Sequence, residues 1–264
     1  VGTLLARVLG SVAFVSCLLF GSHDTPLVPS RMTSIDTTLI RQIFKIGFPV
    51  ALAGVMRNGA RVIFVGIVGL SALGVAMHAS VGLGLQIRLI SVFPALAFQV
   101  ALATLVGNAI GRGEIEEAEE IGKRGVVLLA GLMFVVCGIL FMCSGILATL
   151  FIADTESALL GAKVLRWFAI GQFFSTLAIG AQGALSGAGD TKPIARVTFL
   201  TQWLLLLPLT YVLLVPMNID PNGPLIAWAV APMATFLLLY ARLLSGKWKD
   251  LIPTTDQQEK NSES

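Results

Sequence analysis

The sequence contains few charged residues, and this scarcity excludes several classes of protein. Charged side chains make up 12% of the 264 residues, and hydrophobic ones make up 56%. A soluble domain carries about 25% charged residues, because they have to cover its surface. The 18 Lys and Arg residues exceed the 15 Asp and Glu residues by only three, too small and scattered a surplus for nucleic-acid binding. The composition excludes a disordered chain and an ordinary soluble enzyme, and it indicates a protein of the lipid bilayer.

Residues that carry out catalysis or bind metals are also scarce. The three cysteines, Cys17, Cys137 and Cys143, lie in apolar runs without a pairing pattern, which predicts free buried thiols. The only histidines are His23 and His78, and the sequence has no HExxH, GxSxG or Walker motif. An intramembrane enzyme would need a nucleophile with its base or a pair of acids. We therefore expect no enzymatic activity, no metal and no cofactor.

Seven apolar runs are long enough, or nearly so, to cross a bilayer as helices, which takes ~20 residues. They lie at 3–20, 43–68, 75–107, 120–142, 160–186, 194–215 and 223–245. The first run is short, and a signal peptide is an alternative reading of it. The third would be almost ~50 Å long, and we expect Pro94 to bend it. The pattern predicts an all-α polytopic membrane protein.

The distribution of basic residues predicts how the chain is organised across the membrane. Twelve Lys and Arg residues lie on one side of the spans, three lie on the other side, and three lie inside them. The positive-inside rule then places the C-terminus in the cytoplasm and the N-terminus of the chain outside the plasma (inner) membrane. The outer loops are expected at 69–74, about 143–159 and 216–222.

A polar segment divides the chain unequally. Residues 21–40 indicate a cytoplasmic linker between one helix, within 1–20, and six helices within 41–250. Six helices suggest one complete repeat, and the helix before them suggests the end of a preceding lobe that is truncated. The tail at 251–264 is expected to be disordered.

The polar residues inside the spans are basic residues, amides and hydroxyls, since every acid lies outside the spans or at their edges. Arg57 and Arg61 are four residues apart on one helix face, and Asn58 lies beside them. An arginine at the bilayer centre costs at least ~2.5–3.5 kcal/mol, so this pair needs water, a carboxylate or an anionic ligand. The alternative is that the side chains reach towards an interface.

Two further spans contribute polar residues. The third span carries Gln86 and Arg88, and the fifth carries Gln172, Thr176 and Gln182 on one stripe. Such a stripe indicates either a cavity wall or hydrogen bonding between helices. The candidate substrate or cavity residues are Arg57, Asn58, Arg61, Gln86, Arg88, Gln172, Thr176 and Gln182.

Four segments carry a resemblance to a known family. They are GFPVALAG at 47–54, TLVGNAIGRGEIEEA at 104–118, ALSGAGDTKP at 184–193 and LPLTYVLL at 207–214. In this order and spacing they resemble the multidrug and toxic compound extrusion (MATE) family of transporters. The family has twelve helices in two six-helix lobes around a central cavity. The resemblance implies that this chain is the sixth helix followed by the second lobe, without the first lobe.

The resemblance also implies how transport is driven. Family members exchange Na+ or H+ for cationic, often aromatic drugs by alternating access. Many carry a coupling acid on the first helix, and many carry a Glu at the place where this chain has Arg57. Some carry an acid near the end of the tenth helix, where this chain offers Gln182 and Ser186. The coupling ion is therefore expected to be bound by the first lobe.

The predicted function is secondary active efflux of drug-like organic compounds in exchange for Na+ or H+. The expected partners are the lipid bilayer, a small organic substrate, and either the first lobe or a second copy of the chain. We hypothesise that Arg57 faces the cavity and pairs with a first-lobe carboxylate or an anionic substrate group. One alternative is a lipid-linked saccharide flippase of the same superfamily, which would use basic residues to hold a pyrophosphate. The other is a half-protein that does not itself transport.

Overall fold

The computed structural model of the protein describes residues 5, 8–13, 15–16, 37–152 and 154–251, and every regular element within them is a helix. The longer helices are α1 (Thr37–Val68), α2 (Gly74–Ile87), α3 (Leu89–Gly111), α4 (Ile115–Met142), α6 (Thr155–Gly187) and α9 (Asn222–Leu244). The shorter ones are α5 (Ser144–Phe151), α7 (Lys192–Phe199), a π-helical segment (Leu200–Leu206), α8 (Leu207–Leu214) and a 3₁₀ turn (Lys249–Leu251).

The chain divides into two compact units, residues 1–44 and 45–264. In the first unit, residues 8–13 and 15–16 are helical. Most of the predicted helix at 1–20 and most of the linker at 21–40 lie outside the described residues, as does the tail at 251–264 apart from Leu251. The last four residues of the predicted linker are helical, because α1 already begins at Thr37.

Six helical stretches in the described part of the chain are long and apolar enough to span a membrane. They are Ile43–Val68, Gly74–Gly111, Ile115–Met142, Thr155–Gly187, Lys192–Leu214 and Asn222–Leu244. Each corresponds to one of the last six predicted spans, within five residues at either end. The prediction of an all-α membrane fold is confirmed.

The structure adds detail to two predictions. The third span is interrupted at Arg88, between α2 and α3, whereas Pro94 lies inside α3. The predicted outer loop at about 143–159 contains the short helix α5, because its apolar residues can form two turns although they are too few to span a bilayer.

Local sequence signals determine where two of the long helices begin. The carboxylate of Asp154 accepts a hydrogen bond from the backbone N–H of Ser157 (2.9 Å) and so caps α6. This bond holds the pKa of the Asp154 carboxyl below its ordinary value. Helix α4 begins with Glu116 and Glu117 in its first turn, where acids interact favourably with the helix dipole.

Helix α6 is the centre of the described fold, since it packs against α2, α3, α4, α5 and α9. Two glycines let it approach α3 closely. A Cβ added to Gly183 would lie 2.5 Å from the carbonyl oxygen of Gln99, and one added to Gly187 would lie 2.5 Å from that of Ala103. This spacing of four residues on both helices is the small-residue packing typical of membrane helices.

An ion pair ties the connection after α6 to α9. The carboxylate of Asp190 accepts a hydrogen bond from Nε of Arg242 (2.8 Å), and the Asp190 side chain is only 4% exposed. A buried carboxylate needs such a partner, because a lone charge away from water is costly.

The glycine contact predicts a specific effect on stability. Gly183→Ala should destabilise the chain by about 1–3 kcal/mol, the cost of overpacking a core, because its Cβ would collide with backbone that cannot move aside. Gly131→Ala on α4 is the matched control, since nothing lies within 4 Å of a Cβ there. Both substitutions favour the helix by about 1 kcal/mol, so the difference between their thermal unfolding midpoints in detergent isolates the collision. Equal midpoints would contradict the proposed packing.

The ion pair predicts a second effect on stability. Asp190→Asn should cost about 1–3 kcal/mol, because it removes a charged hydrogen bond from a buried position. Glu120→Gln removes the partner of Arg124 in an exposed pair and should cost less than about 1 kcal/mol. Thermal unfolding of both variants checks this, and the idea fails if Asp190→Asn is no less stable than Glu120→Gln.

Candidate functional site

The described helices enclose a polar cavity inside the membrane-spanning region. About 640 Å³ of space not filled by protein atoms lies within it, and part of this space is continuous with the open surroundings. The cavity is lined by Arg57, Arg61, Arg88, Gln172, Ser175, Ala178, Gln182, Thr198, Gln202, Leu206, Trp228, Pro232 and Thr235.

Three arginines give the cavity its charge. Arg57 and Arg61 come from α1, one turn apart, and Arg88 stands at the break between α2 and α3. Nη2 of Arg57 donates a hydrogen bond to Oε1 of Gln182 (3.2 Å), which joins α1 to α6. No Asp or Glu is among the lining residues. The cavity is therefore positively charged, with no lining acid to balance it.

Several buried polar atoms of the cavity have no hydrogen-bond partner within the protein. They are Nε of Arg61, Nε of Arg88, Nε2 of Gln172, Oγ1 of Thr198 and Nε1 of Trp228. Four of these five atoms are N–H groups, which only donate hydrogen bonds. An unsatisfied buried donor costs about 1–3 kcal/mol, so these groups beside the cavity are a cost that the described helices alone do not offset.

Side-chain hydrogen bonds hold the cavity wall together. The indole N–H of Trp203, in the π-helical segment, donates to the carbonyl oxygen of Met56 on α1 (3.2 Å). Oγ1 of Thr235 on α9 lies 2.8 Å from Oγ1 of Thr201, and Thr201 in turn donates to the carbonyl of Val197 (2.8 Å). These bonds link α1, the π-helical segment and α9 around the cavity.

Of the residues predicted from the sequence, the structure brings five together at the cavity: Arg57, Arg61, Arg88, Gln172 and Gln182. Their shared position shows that the three arginines converge on one space.

The other three candidates lie elsewhere. Asn58 is exposed and accepts a hydrogen bond from Arg61 (3.2 Å), so it supports that arginine without lining the cavity. Gln86 is exposed and is not among the lining residues. Thr176 is fully buried and donates to the carbonyl of Phe173 (2.7 Å). It follows the lining residue Ser175, and one helical step of about 100° turns it away from the cavity.

Sequence reasoning missed the contribution of the last two spans. Thr198 and Gln202, four residues apart, give a weak polar signal in the sixth span. Trp228 and Thr235 of α9 are two turns apart on one face, but they stand among apolar residues, so no charge or amide marks them.

Comparison with known proteins identifies the family of this chain. A family model described as MatE matches residues 49–212, which is more than half of the sequence. The chain belongs to the MatE family. It is therefore a multi-pass membrane protein, and the resemblance predicted from its motifs is confirmed.

Relatives and solved structures agree with this assignment. A "Probable multidrug resistance protein NorM" from Thermotoga maritima is 26% identical over 264 aligned positions, covering 98% of this MatE chain and 55% of the relative. A "Multidrug and toxin extrusion protein 1" from Rattus norvegicus is 28% identical over 155 positions, covering 58% of the chain and 27% of the relative. The chain spans about half the length of the first of these relatives.

A solved MATE family transporter in an outward-facing conformation superposes with a TM-score of 0.82 at 18% identity, covering 94% of this chain and 56% of that one. A transporter of the MOP superfamily from Pyrococcus furiosus superposes with a TM-score of 0.78, also at 18% identity, covering 92% of this chain and 55% of that one. At this level of identity the similarity concerns the fold.

The positive charge of the cavity predicts how a thiol placed inside it will react. With the native cysteines replaced, Ser175→Cys should react relatively faster with an anionic than with a cationic methanethiosulfonate reagent. Thr155→Cys is the control, because this exposed position lies between two acidic residues, Asp154 and Glu156, and is therefore surrounded by negative charge. With rates normalised to free cysteine, we expect the anion-to-cation ratio to be roughly tenfold or more higher at position 175. Equal ratios at the two positions would show that the arginines do not set the potential of the cavity.

Proposed function

We propose that this MatE chain forms one lobe of a secondary active efflux transporter of the plasma (inner) membrane. In this proposal it exports drug-like organic compounds in exchange for Na+ or H+ by alternating access. The observation that carries it is the cavity lined by three arginines and three glutamines among six apolar helices. Polar and charged groups are expensive inside a bilayer, and where they occur they mark substrate or ion pathways. Relatives named multidrug resistance proteins support the choice of substrate class.

The proposal needs a second lobe. A transport cavity between two lobes can open alternately to either side of the membrane, so the partner is the other half of a two-lobe transporter or a second copy of this chain. The basic residues support an orientation with the C-terminus of the chain in the cytoplasm.

The lining residues bear on the proposal for the coupling ion. Na+ and H+ are held in transporters by oxygen ligands and above all by carboxylates, and no Asp or Glu lines this cavity. We infer that the coupling carboxylate belongs to the partner lobe. This lobe then supplies binding surface for the substrate, and its cavity accommodates the conformational change.

One observation favours a second candidate, a lipid-linked saccharide flippase. Arg57, Arg61 and Arg88 share a cavity, and guanidinium groups are well suited to hold a pyrophosphate. The transporter from Pyrococcus furiosus with the similar fold is described as having a binding pocket of reverse polarity that suggests a different function.

Efflux can be tested in bacteria that lack their own drug pumps. Cells expressing the chain, alone or with the upstream half of a family relative, should accumulate less ethidium or less carboxyfluorescein than cells without it. An ionophore should abolish the difference, because efflux is driven by an ion gradient. Arg57→Ala should impair efflux, whereas Arg196→Ala, on the exposed face of α7, should not. Unchanged accumulation of both dyes, with membrane insertion verified and the upstream half present, would contradict drug efflux.

A further inference from the structure

The charge of the cavity is opposite to what a site for cationic compounds requires. The side chains of Arg57, Arg61 and Arg88 face one space, with no acid among the residues that line it. Like charges so placed repel one another and raise the free energy of the empty cavity, and the repulsion grows as water is excluded. A bound cation would add to it, whereas a bound anion would offset it.

The hydrogen-bonding groups indicate the same sign of charge. Nε of Arg61 and Nε of Arg88 are buried without a partner, and so are Nε2 of Gln172 and Nε1 of Trp228. The side chain of Gln172 is itself 3% exposed, so this donor belongs to a built site and not to a surface. All four groups donate and none can accept. A bound anion would lower the electrostatic cost of burying these donors beside the cavity, whereas a bound cation would raise it.

The remaining wall of the cavity is apolar and aromatic. It consists of Trp228, Leu206, Ala178 and Pro232. Phe168 and Phe64 are buried in the core and do not line the cavity, but they pack against the indole of Trp228 with ring centroids 4.5 and 5.0 Å from it. Such a surface binds the hydrophobic part of a ligand, while the guanidinium groups bind its charge.

We propose that this cavity binds an oxyanion (a phosphate, sulfonate or carboxylate group) carried by an amphipathic molecule. The inference rests on the proposed transport function only for its biological meaning, because binding can be measured without transport. Arg57, Arg61 and Arg88 supply the charge, and Gln172 stands beside them in the lining. Trp228, Leu206 and Pro232 form the surface against which the apolar part of the ligand lies.

The decisive measurement compares two ligands that share an aromatic ring system and carry opposite charge. Naphthalene-2-sulfonate and trimethyl(2-naphthyl)ammonium are titrated into the purified full chain in maltoside micelles, which contain no phosphate, and binding is followed by calorimetry. We expect the sulfonate to bind at least tenfold more tightly. Equal affinities, or tighter binding of the ammonium compound, would overturn the proposal.

Variants locate the site within the molecule. Arg57→Gln and Arg88→Gln should each weaken sulfonate binding about tenfold or more, since each removes a charge-assisted hydrogen bond. Arg57→Lys keeps the positive charge and should weaken sulfonate binding less than Arg57→Gln does. Arg196→Gln removes the same charge from an exposed position outside the cavity and should leave the affinity within about twofold. If the cavity variants behave like Arg196→Gln, the anion binds elsewhere and the proposal is wrong; if they unfold, the comparison of the two ligands on the unaltered chain still decides.

The oxyanion has two candidate sources, a lipid headgroup and a soluble compound, and competition separates them. Short-chain phosphatidylglycerol added to the micelles should displace the sulfonate if a lipid phosphate occupies the cavity. If the lipid leaves the sulfonate bound, the site takes soluble anions. Both outcomes support the oxyanion site and differ only in the source of the ligand.

The binding result and the efflux result are independent. Tight sulfonate binding without efflux in cells would support the oxyanion site and contradict the proposed drug export. Efflux without preference for the sulfonate would support export and overturn the oxyanion site.

Discussion

The close approach of α6 to α3 is the contact on which the rest of the described fold depends. Gly183 and Gly187 let the two backbones meet without side chains between them, and in a bilayer such close packing replaces the hydrophobic effect as the force that holds helices together. Another face of α6 leaves open space instead of packing closely, and there its polar side chains Gln172, Ser175 and Gln182 line the cavity. Any rotation of α6 that rearranged its polar face would also separate the glycines from α3. The cavity and the helix packing are therefore mechanically coupled.

Hydrogen bonding separates two kinds of polar residue inside the spans. The hydroxyls of Thr176, Thr201 and Thr210 donate to backbone carbonyls within their own helical turn, so they are satisfied locally and need no ligand. The buried polar atoms without a hydrogen-bond partner form the second kind. Among the described residues there are seven such atoms, and five of them belong to residues that line the cavity. Polar content alone would not distinguish the two kinds of residue; the presence or absence of a partner does.

The spans could be predicted from the sequence because length and hydropathy are local properties that the bilayer selects directly. The break at Arg88 was not predicted, because the strongest helix-breaking residue of this span, Pro94, stands six positions further along the chain. The depth of Arg57 and Arg61 was evident from their position in the second span. That they meet Arg88 in one space depends on packing between distant helices, and no spacing in a single sequence gives it. Trp228 stayed unnoticed because an aromatic residue in an apolar helix looks the same whether it faces a cavity or lipid.

The π-helical segment Leu200–Leu206 explains why one helix can line so long a stretch of the cavity. In an α-helix, residues four apart do not lie in a straight row, because each step of four overshoots a full turn by about 40°. The wider π turn closes after more residues, so the same step falls short of a full turn. Thr198 to Gln202 and Gln202 to Leu206 are both steps of four, the first lying half before the segment and half within it and the second wholly within it. The overshoot and the shortfall offset each other, and the three side chains stay aligned along the wall. A residue inserted into the segment or deleted from it would change this offset and turn the polar positions on one side of it away from the others.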